Sequence, residues 1–103
     1  MNRFQWDLRE QPAKDFTGIV LWAGRVRGPL VRPGTYEVRL TAHGETRTQP
    51  LIVARDPRAT DVTDADIEAQ YTLARSISDR VSLANETVVR IRDLKSRLVA
   101  AAK

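Results

Sequence analysis

Three carboxylates near the N terminus are the first residues of this 103-residue chain whose types could do chemistry. Asp7, Glu10 and Asp15 lie close together in sequence, and glycosidases use two carboxylates on either side of the bond that they cleave. These acids fall where solvated strand and loop acids normally lie. The sequence therefore predicts that they are structural and that the chain is not an enzyme.

Metal binding is the second chemistry that the residue types could support. A group of acids between residues 56 and 68 has oxygens of the kind that calcium prefers, but the group lacks the glycine and spacing of an EF-hand loop. Helix capping and the helix dipole explain these acids better. They are Asp56, Asp61, Asp64, Asp66 and Glu68. The only histidine, His43, falls at a predicted hairpin tip, and the chain has no cysteine, so the sequence indicates neither a metal nor a cofactor.

Aromatic side chains could stack on sugar rings. Trp6 and Tyr36 alternate with charged residues on predicted strands, which favours core packing for both. Trp22 lies beside a segment rich in glycine and arginine, where a core position is less strongly indicated. It is therefore the one candidate residue for a carbohydrate-binding platform.

The basic charge of the chain does not single out a nucleic-acid partner. The formal net charge is +4, but acids are interleaved with the bases almost throughout, whereas a nucleic-acid module gathers its bases on one face. A solvated face is the interpretation for Arg25, Arg27, Arg32, Arg39, Arg47 and Arg55. No apolar run is longer than that of Ile19–Ala23, which is far too short to span a bilayer. We expect no membrane span and no targeting segment, and the compartment stays open.

The first part of the chain has the pattern of β structure. Apolar and polar residues alternate over Asn2–Arg9 and again over Tyr36–Ala42, and Thr46–Ala54 is the predicted return strand. Ile19–Trp22 is a short apolar run for which a strand is favoured. Residues 42–45 have the length and the glycine of a hairpin connection. We therefore expect a β module over residues 1–58.

The rest of the chain has the pattern of one long amphipathic helix. Residues 59–63 are predicted to be a linker and helix cap, and residues 64–103, which contain no proline or glycine, are predicted to be helical. Its apolar residues fall on alternating three- and four-residue steps. The predicted interface consists of Ile67, Ala74, Ile77, Val81, Ala84, Val88, Ile91 and Leu98. Such a helix is about 55 to 60 Å long, and a β unit of this size is too small to cover it, so we expect a partner helix.

Two segments carry a resemblance to a known family. Residues 2–9 (NRFQWDLR), and residues 21–24 (LWAG) with 28–29 (GP) and 33–41 (PGTYEVRLT), resemble the C-terminal region of bacterial BNR-repeat or sortilin-like glycosyl hydrolases, in which an immunoglobulin-like domain and helices follow a propeller. The turn at residues 56–58 (DPR) and the helix start at residues 63–66 (TDAD) also fit that pattern. They are similar, more distantly, to the immunoglobulin-like domain of flagellar hook-capping proteins. The resemblance implies a partial sandwich without its first two strands, with Trp6 buried and Tyr36 anchoring a corner through its hydroxyl. It also implies a secreted or cell-envelope protein whose activity belongs to the propeller.

Together these observations predict an α+β chain, with a partial immunoglobulin-like antiparallel sandwich or sheet followed by one long C-terminal helix. The predicted function is a non-catalytic structural and assembly module of a larger propeller-type protein. It would oligomerise through helix pairing, either with a second copy or with a helix of a parent protein. The alternative is a carbohydrate-binding accessory module that uses Trp22.

Overall fold

The structure, a computed structural model, describes residues 2–103 and has three regular elements. Strand β1 spans Gly34–Ala42, strand β2 spans Glu45–Val53 and helix α1 spans Asp64–Ala101. The two strands form one antiparallel sheet, in which Ala42 pairs with Glu45 and Gly34 pairs with Val53. The chain is therefore α+β, as predicted, with a two-stranded sheet and one long helix. No sandwich is present within residues 2–103.

The hairpin is closed by a two-residue turn at His43 and Gly44. Both residues have positive φ, 50° at His43 and 79° at Gly44. Positive φ at both central positions is the geometry of a type I′ turn, whose twist matches that of the strands it joins. The hairpin predicted from residues 42–45 is therefore confirmed.

The other two predicted strands are absent. Asn2–Arg9 and Ile19–Trp22 contain no strand, and the chain around Arg9 makes only an isolated antiparallel bridge to Leu30. Leu8 has a φ of 59°, which interrupts an extended segment just where the predicted strand would end. An alternating pattern supplies a face to bury but not a neighbouring strand to bond to, and here neither segment has one.

The helix begins at a capping box. The Thr63 hydroxyl accepts a hydrogen bond from the Asp66 backbone N–H at 3.2 Å, and the Asp66 carboxylate accepts one from the Thr63 N–H at 2.8 Å. This exchange satisfies two backbone donors that a helix start leaves without partners. The hydrogen bonds from Thr63 also hold the pKa of the Asp66 carboxyl below its usual value.

Little of the molecule is buried. Among the described residues only Ala13, Gly28, Pro29 and Asn85 are buried. The radius of gyration is 19.6 Å and the principal extents are 63, 44 and 21 Å, whereas a compact domain of this length has a radius of gyration of about 13 Å. The long helix therefore extends well beyond the part of the chain that packs on it.

Candidate functional site

An extended segment, residues 10–17, runs along the helix in the same direction and is called the strap below. Its first residue, Glu10, accepts two hydrogen bonds from the helix. The Tyr71 hydroxyl donates to Oε1 at 2.6 Å, and Arg75 Nη1 donates to Oε2 at 2.7 Å. Because the two donors are four residues apart, they lie on one face of the helix. Glu10 thus fixes the start of the strap to the helix.

These bonds also set the protonation of Glu10. The hydrogen bond from Tyr71, assisted by that from Arg75, holds the pKa of the Glu10 carboxyl below its ordinary value, although partial burial opposes the shift. The same bond raises the pKa of the Tyr71 hydroxyl. Glu10 is therefore an ionised structural acceptor.

The middle of the strap is held at Lys14. Its backbone N–H donates to Ser82 Oγ at 3.0 Å, and its carbonyl oxygen accepts a hydrogen bond from Asn85 Nδ2. Its ammonium forms an ion pair with Glu86, and this pair lowers the pKa of the Glu86 carboxyl. Ala13, the residue before Lys14, is buried, and Asn85 is buried with its amide satisfied.

The end of the strap meets the helix at Arg92. Its guanidinium donates to the Thr17 carbonyl oxygen at 2.9 Å and lies 4.7 Å from the centre of the Phe16 ring. That distance allows a cation–π contact. Arg92 is the last helical residue in a hydrogen bond or ion pair with the strap.

A second set of contacts joins the helix start to the loops around the hairpin. Arg32 donates to both carboxylate oxygens of Glu68 at 2.9 and 3.0 Å, and its guanidinium lies 4.2 Å from the centre of the Tyr71 ring. Arg55 forms an ion pair with Asp64 at 3.0 Å. Arg32 uses one nitrogen for both oxygens, and Arg55 reaches Asp64 through a single nitrogen. The two ion pairs tie the residues on either side of the hairpin to the first turns of the helix.

The strap and the loops around the hairpin cover only one face of the helix. The residues of this covered face are buried or half-buried: Ile67, Tyr71, Ala74, Ser78, Val81, Asn85 and Val88. A second, apolar face is exposed along its whole length and is called the open face: Leu73, Ile77, Ala84, Ile91, Leu94 and Leu98. The predicted interface is therefore divided. Ile67, Ala74, Val81 and Val88 pack towards the chain itself, whereas Ile77, Ala84, Ile91 and Leu98 lie on the open face.

An apolar cavity of about 680 Å³ lies between the covered face and the loop that precedes β1. Its walls include Leu21, Val31, Val53, Ile67 and Val81, and it is open to solvent. Arg25 and Arg27, interpreted from sequence as solvated, lie at its wall. Arg39 and Arg47 instead form ion pairs along their own strands, with Glu37 and Glu45.

The three large aromatic residues considered as a platform occupy different environments. Trp6 and Tyr36 are half-buried and pack edge to face, with ring centres 5.9 Å apart. The Tyr36 hydroxyl donates to the Arg32 carbonyl oxygen at 2.6 Å, four residues upstream. Trp22 is 94% exposed. Val38 and Leu40, expected in the β core, are 50% and 65% exposed, so Trp6 covers the Tyr36 end of this face of the hairpin and the part nearer the turn is exposed.

The remaining candidate residues are in local contacts. Asp7 accepts a hydrogen bond from the Arg9 N–H, Asp56 forms an ion pair with Arg58, and His43 lies in the hairpin turn. The pairing with Arg58 lowers the pKa of the Asp56 carboxyl. Within residues 2–103 no cluster of three or more acids, histidines or cysteines is placed to hold a metal ion.

Sequence reasoning missed the strap. The sequence pattern indicates Glu10 only as a possible catalytic acid, and it singles out none of Lys14, Arg75 and Asn85. The available signal was on the helix, where Tyr71, Arg75, Ser78, Ser82 and Asn85 put polar groups at helical spacing within an otherwise apolar face. Such a polar row indicates contact with backbone groups of another segment.

Comparison with family models, with curated proteins and with solved structures finds no match for this chain. In the part of the chain that the structure describes, the helix is not apolar enough over a sufficient length to cross a membrane.

Proposed function

We propose that this chain is a non-catalytic structural and assembly module, and that its open face pairs with the same face of a second copy. One observation carries the proposal. Ile77, Ala84, Ile91 and Leu98 are spaced seven residues apart and are exposed. Ile77 borders the cavity, and the other three continue the row away from the strap and loops. A repeat of seven residues keeps an apolar row facing one partner helix over several turns.

The total surface of the chain supports a partner of substantial size. The single chain exposes 9437 Å², whereas a folded monomer of 11.6 kDa exposes about 5,800 Å². The excess of about 3,600 Å² per chain is larger than the roughly 1,000–2,500 Å² per subunit that an obligate homodimer buries, so the exposed surface is ample for such an interface. Association through the open face would bury part of this surface.

Light scattering on the full chain, with a matched pair of variants, tests this proposal. Ile91→Asp places a charge on the open face. Val89→Asp makes a similar change on the other side of the same helical turn. We expect a mass at least twice 11.6 kDa for the wild type and for Val89→Asp, and a lower mass for Ile91→Asp. A monomeric wild type overturns the proposal, as does equal dissociation by both variants. Val81→Asp is less informative because Val81 is half-buried beneath the chain's own body.

The non-catalytic part of the proposal is supported by the state of Glu10. A glycosidase acid must hold a proton near neutral pH, and enzymes achieve this by raising the pKa of the carboxyl. The contacts of Glu10 lower its pKa instead and use both carboxylate oxygens. Incubation with chromogenic glycosides, with Glu10→Gln as the comparison, tests this point, and hydrolysis that the variant loses would overturn it.

The proposal extends to an immunoglobulin-like sandwich attached to a propeller-type protein. It is supported by the hydroxyl-to-backbone bond of Tyr36, which a tyrosine corner requires, and by the uncovered apolar side of the hairpin. An experimental structure of the assembled protein tests the sandwich. A second sheet packed on Val38 and Leu40 supports it, and solvent on that face in the assembly refutes it.

Carbohydrate binding is the second candidate function, because Trp22 is 94% exposed and an exposed indole ring can stack on a sugar. Quenching of tryptophan fluorescence by acrylamide, with and without oligosaccharides, tests it. Protection that is lost in Trp22→Ala supports a sugar platform. Identical quenching with and without sugar removes this candidate.

A further inference from the structure

The two outer edges of the hairpin are not equivalent. In a two-residue hairpin the flanking pair, Ala42 and Glu45, is hydrogen-bonded, and the pairs then alternate between bonded and non-bonded. Pro50 pairs with Glu37, which places it in a non-bonded pair. Its missing N–H would therefore have pointed outwards, so Pro50 costs the hairpin nothing and interrupts the outer edge of β2.

The outer edge of β1 has no such interruption. The same alternation directs the backbone N–H and C=O groups of Thr35, Glu37, Arg39 and Thr41 outwards, and β1 contains no proline. Strand β1 has one neighbour, β2, in the described part of the chain. An unprotected edge of this length is a template for another strand.

Residues at equal distances on either side of Val38 in β1 are complementary in charge or similar in polarity. Counting outwards from Val38, Glu37 corresponds to Arg39, Tyr36 to Leu40, and Thr35 to Thr41. We propose that two copies of this chain join their β1 edges antiparallel about a two-fold axis at Val38, which forms a continuous four-stranded sheet. This interface is separate from the open face of the helix and rests on a different observation.

This register pairs complementary side chains on both faces of the sheet. On one face, Glu37 lies opposite the partner's Arg39, and the symmetric pair repeats the contact; within one chain these two side chains already lie 3.2 Å apart on that face. On the other face, Val38 meets the partner's Val38 and Tyr36 meets the partner's Leu40. Apolar area that is exposed in one copy, 50% at Val38 and 65% at Leu40, gains neighbours across the axis.

A shift of the pairing by one step removes this match. Moving the axis from Val38 to Arg39 would place Arg39 opposite the partner's Arg39, and like charges directly opposite each other are destabilising. The charges therefore favour this register over the shifted one. They also favour a second copy as the partner, because each copy supplies one Glu37 and one Arg39 to the two ion pairs.

A single cysteine tests the position of the axis directly, because the chain has none of its own. In the proposed register, Val38→Cys brings two thiols together in a non-hydrogen-bonded pair, where Cα atoms are about 4.5 Å apart and a disulfide can form. Leu40→Cys is the control, because its symmetry mate lies four residues away along the partner strand, about 13 Å. We expect covalent dimer on mild oxidation of Val38→Cys and little from Leu40→Cys. Equal cross-linking of both, or of neither, overturns the proposal.

Two proline variants test the edge itself. Arg39 and Thr48 are paired with each other in a non-bonded pair, so Arg39→Pro blocks the β1 edge and Thr48→Pro blocks the β2 edge at a similar cost to the hairpin. We make both changes in the Ile91→Asp background, which disables the open face. Arg39→Pro should then give the monomer mass of 11.6 kDa, and Thr48→Pro should keep the dimer. Dissociation by both, or by neither, refutes edge pairing.

A charge exchange separates this proposal from helix pairing. Glu37→Arg and Arg39→Glu each place like charges across the axis, which should weaken self-association at the edge about tenfold. A mixture of the two variants restores opposite charges at both positions and should recover the wild-type affinity as a heterodimer. Recovery supports the edge interface even if Ile91→Asp has no effect, and failure of recovery counts against the edge alone.

Discussion

Gly28 is the position at which the smallest substitution has the largest expected effect. It is buried where the loop that precedes β1 crosses the start of the strap. A Cβ built on Gly28 comes closer than 3.0 Å to the carbonyl oxygens of both Glu10 and Gln11. Both neighbours are backbone atoms, so no side chain can rotate to make room. Gly28→Ala must therefore push the two segments apart.

The cost can be estimated from what holds these segments together. Glu10 N–H donates to the Pro29 carbonyl oxygen, and Val31 N–H donates to the Leu8 carbonyl oxygen, both at 2.9 Å. Overpacking costs about 1–3 kcal/mol, and each backbone hydrogen bond that is lost costs about 1 kcal/mol. The sum, about 3–5 kcal/mol, is a large share of the roughly 5–15 kcal/mol that stabilises a domain.

Gly24→Ala is the matched control, because its added Cβ would find its nearest neighbour at an ordinary contact distance of 3.7 Å. At one fixed protein concentration, thermal unfolding followed by circular dichroism should show Tm lowered by more than about 10 °C for Gly28→Ala. Tm for Gly24→Ala should change by less than about 3 °C. Equal melting of the two variants would refute the described crossing of strap and loop.

Acid should destabilise the protein partly through Glu10, because folding lowers the pKa of its carboxyl. The contribution of Glu10 to the free energy of unfolding is therefore complete above about pH 5 and is lost as the pH falls below the ordinary pKa of 4.5. Glu10→Gln should therefore lose less stability than the wild type between pH 7 and pH 3 in urea titrations. Gly44→Ala should cost about 1–2 kcal/mol because φ is 79° there, whereas His43→Asn should raise Tm, since Asn-Gly suits this turn. Trp22→Ala should leave Tm unchanged, because its ring is 94% exposed.

The elements that could be predicted from sequence are those that local signals specify. The alternation in Tyr36–Ala42, the turn glycine at position 44 and the cap at Thr63 all act within a few residues, and the structure contains the hairpin and the helix that they indicate. Asn2–Arg9 alternates just as clearly but forms no strand. A strand there needs a neighbouring strand to hydrogen-bond to, and the sequence of the segment alone does not specify one.

The candidate site was only partly predictable for a related reason. The spacing of apolar residues indicates a helix face that must be covered, but not what covers it. Here the chain's own strap and the loop that precedes β1 lie over the side that contains Ala74 and Val81, so that Ile91 and Leu98 are left on the open face. The polar row at Tyr71, Arg75 and Asn85 is what distinguishes the two faces.

The last hydrogen bond between the strap and the helix is at Arg92, and the helix continues to Ala101. Amide exchange in this terminal segment therefore depends on local fraying in a lone chain and on protection by a neighbour in an assembled one. The ratio of the amide exchange rate after Arg92 to that of residues 71–85 in the same sample shows what fraction of the chains has a partner on the open face. The ratio can be measured at a series of protein concentrations. Amide exchange in the part of the helix after Arg92 therefore measures how far the protein is associated.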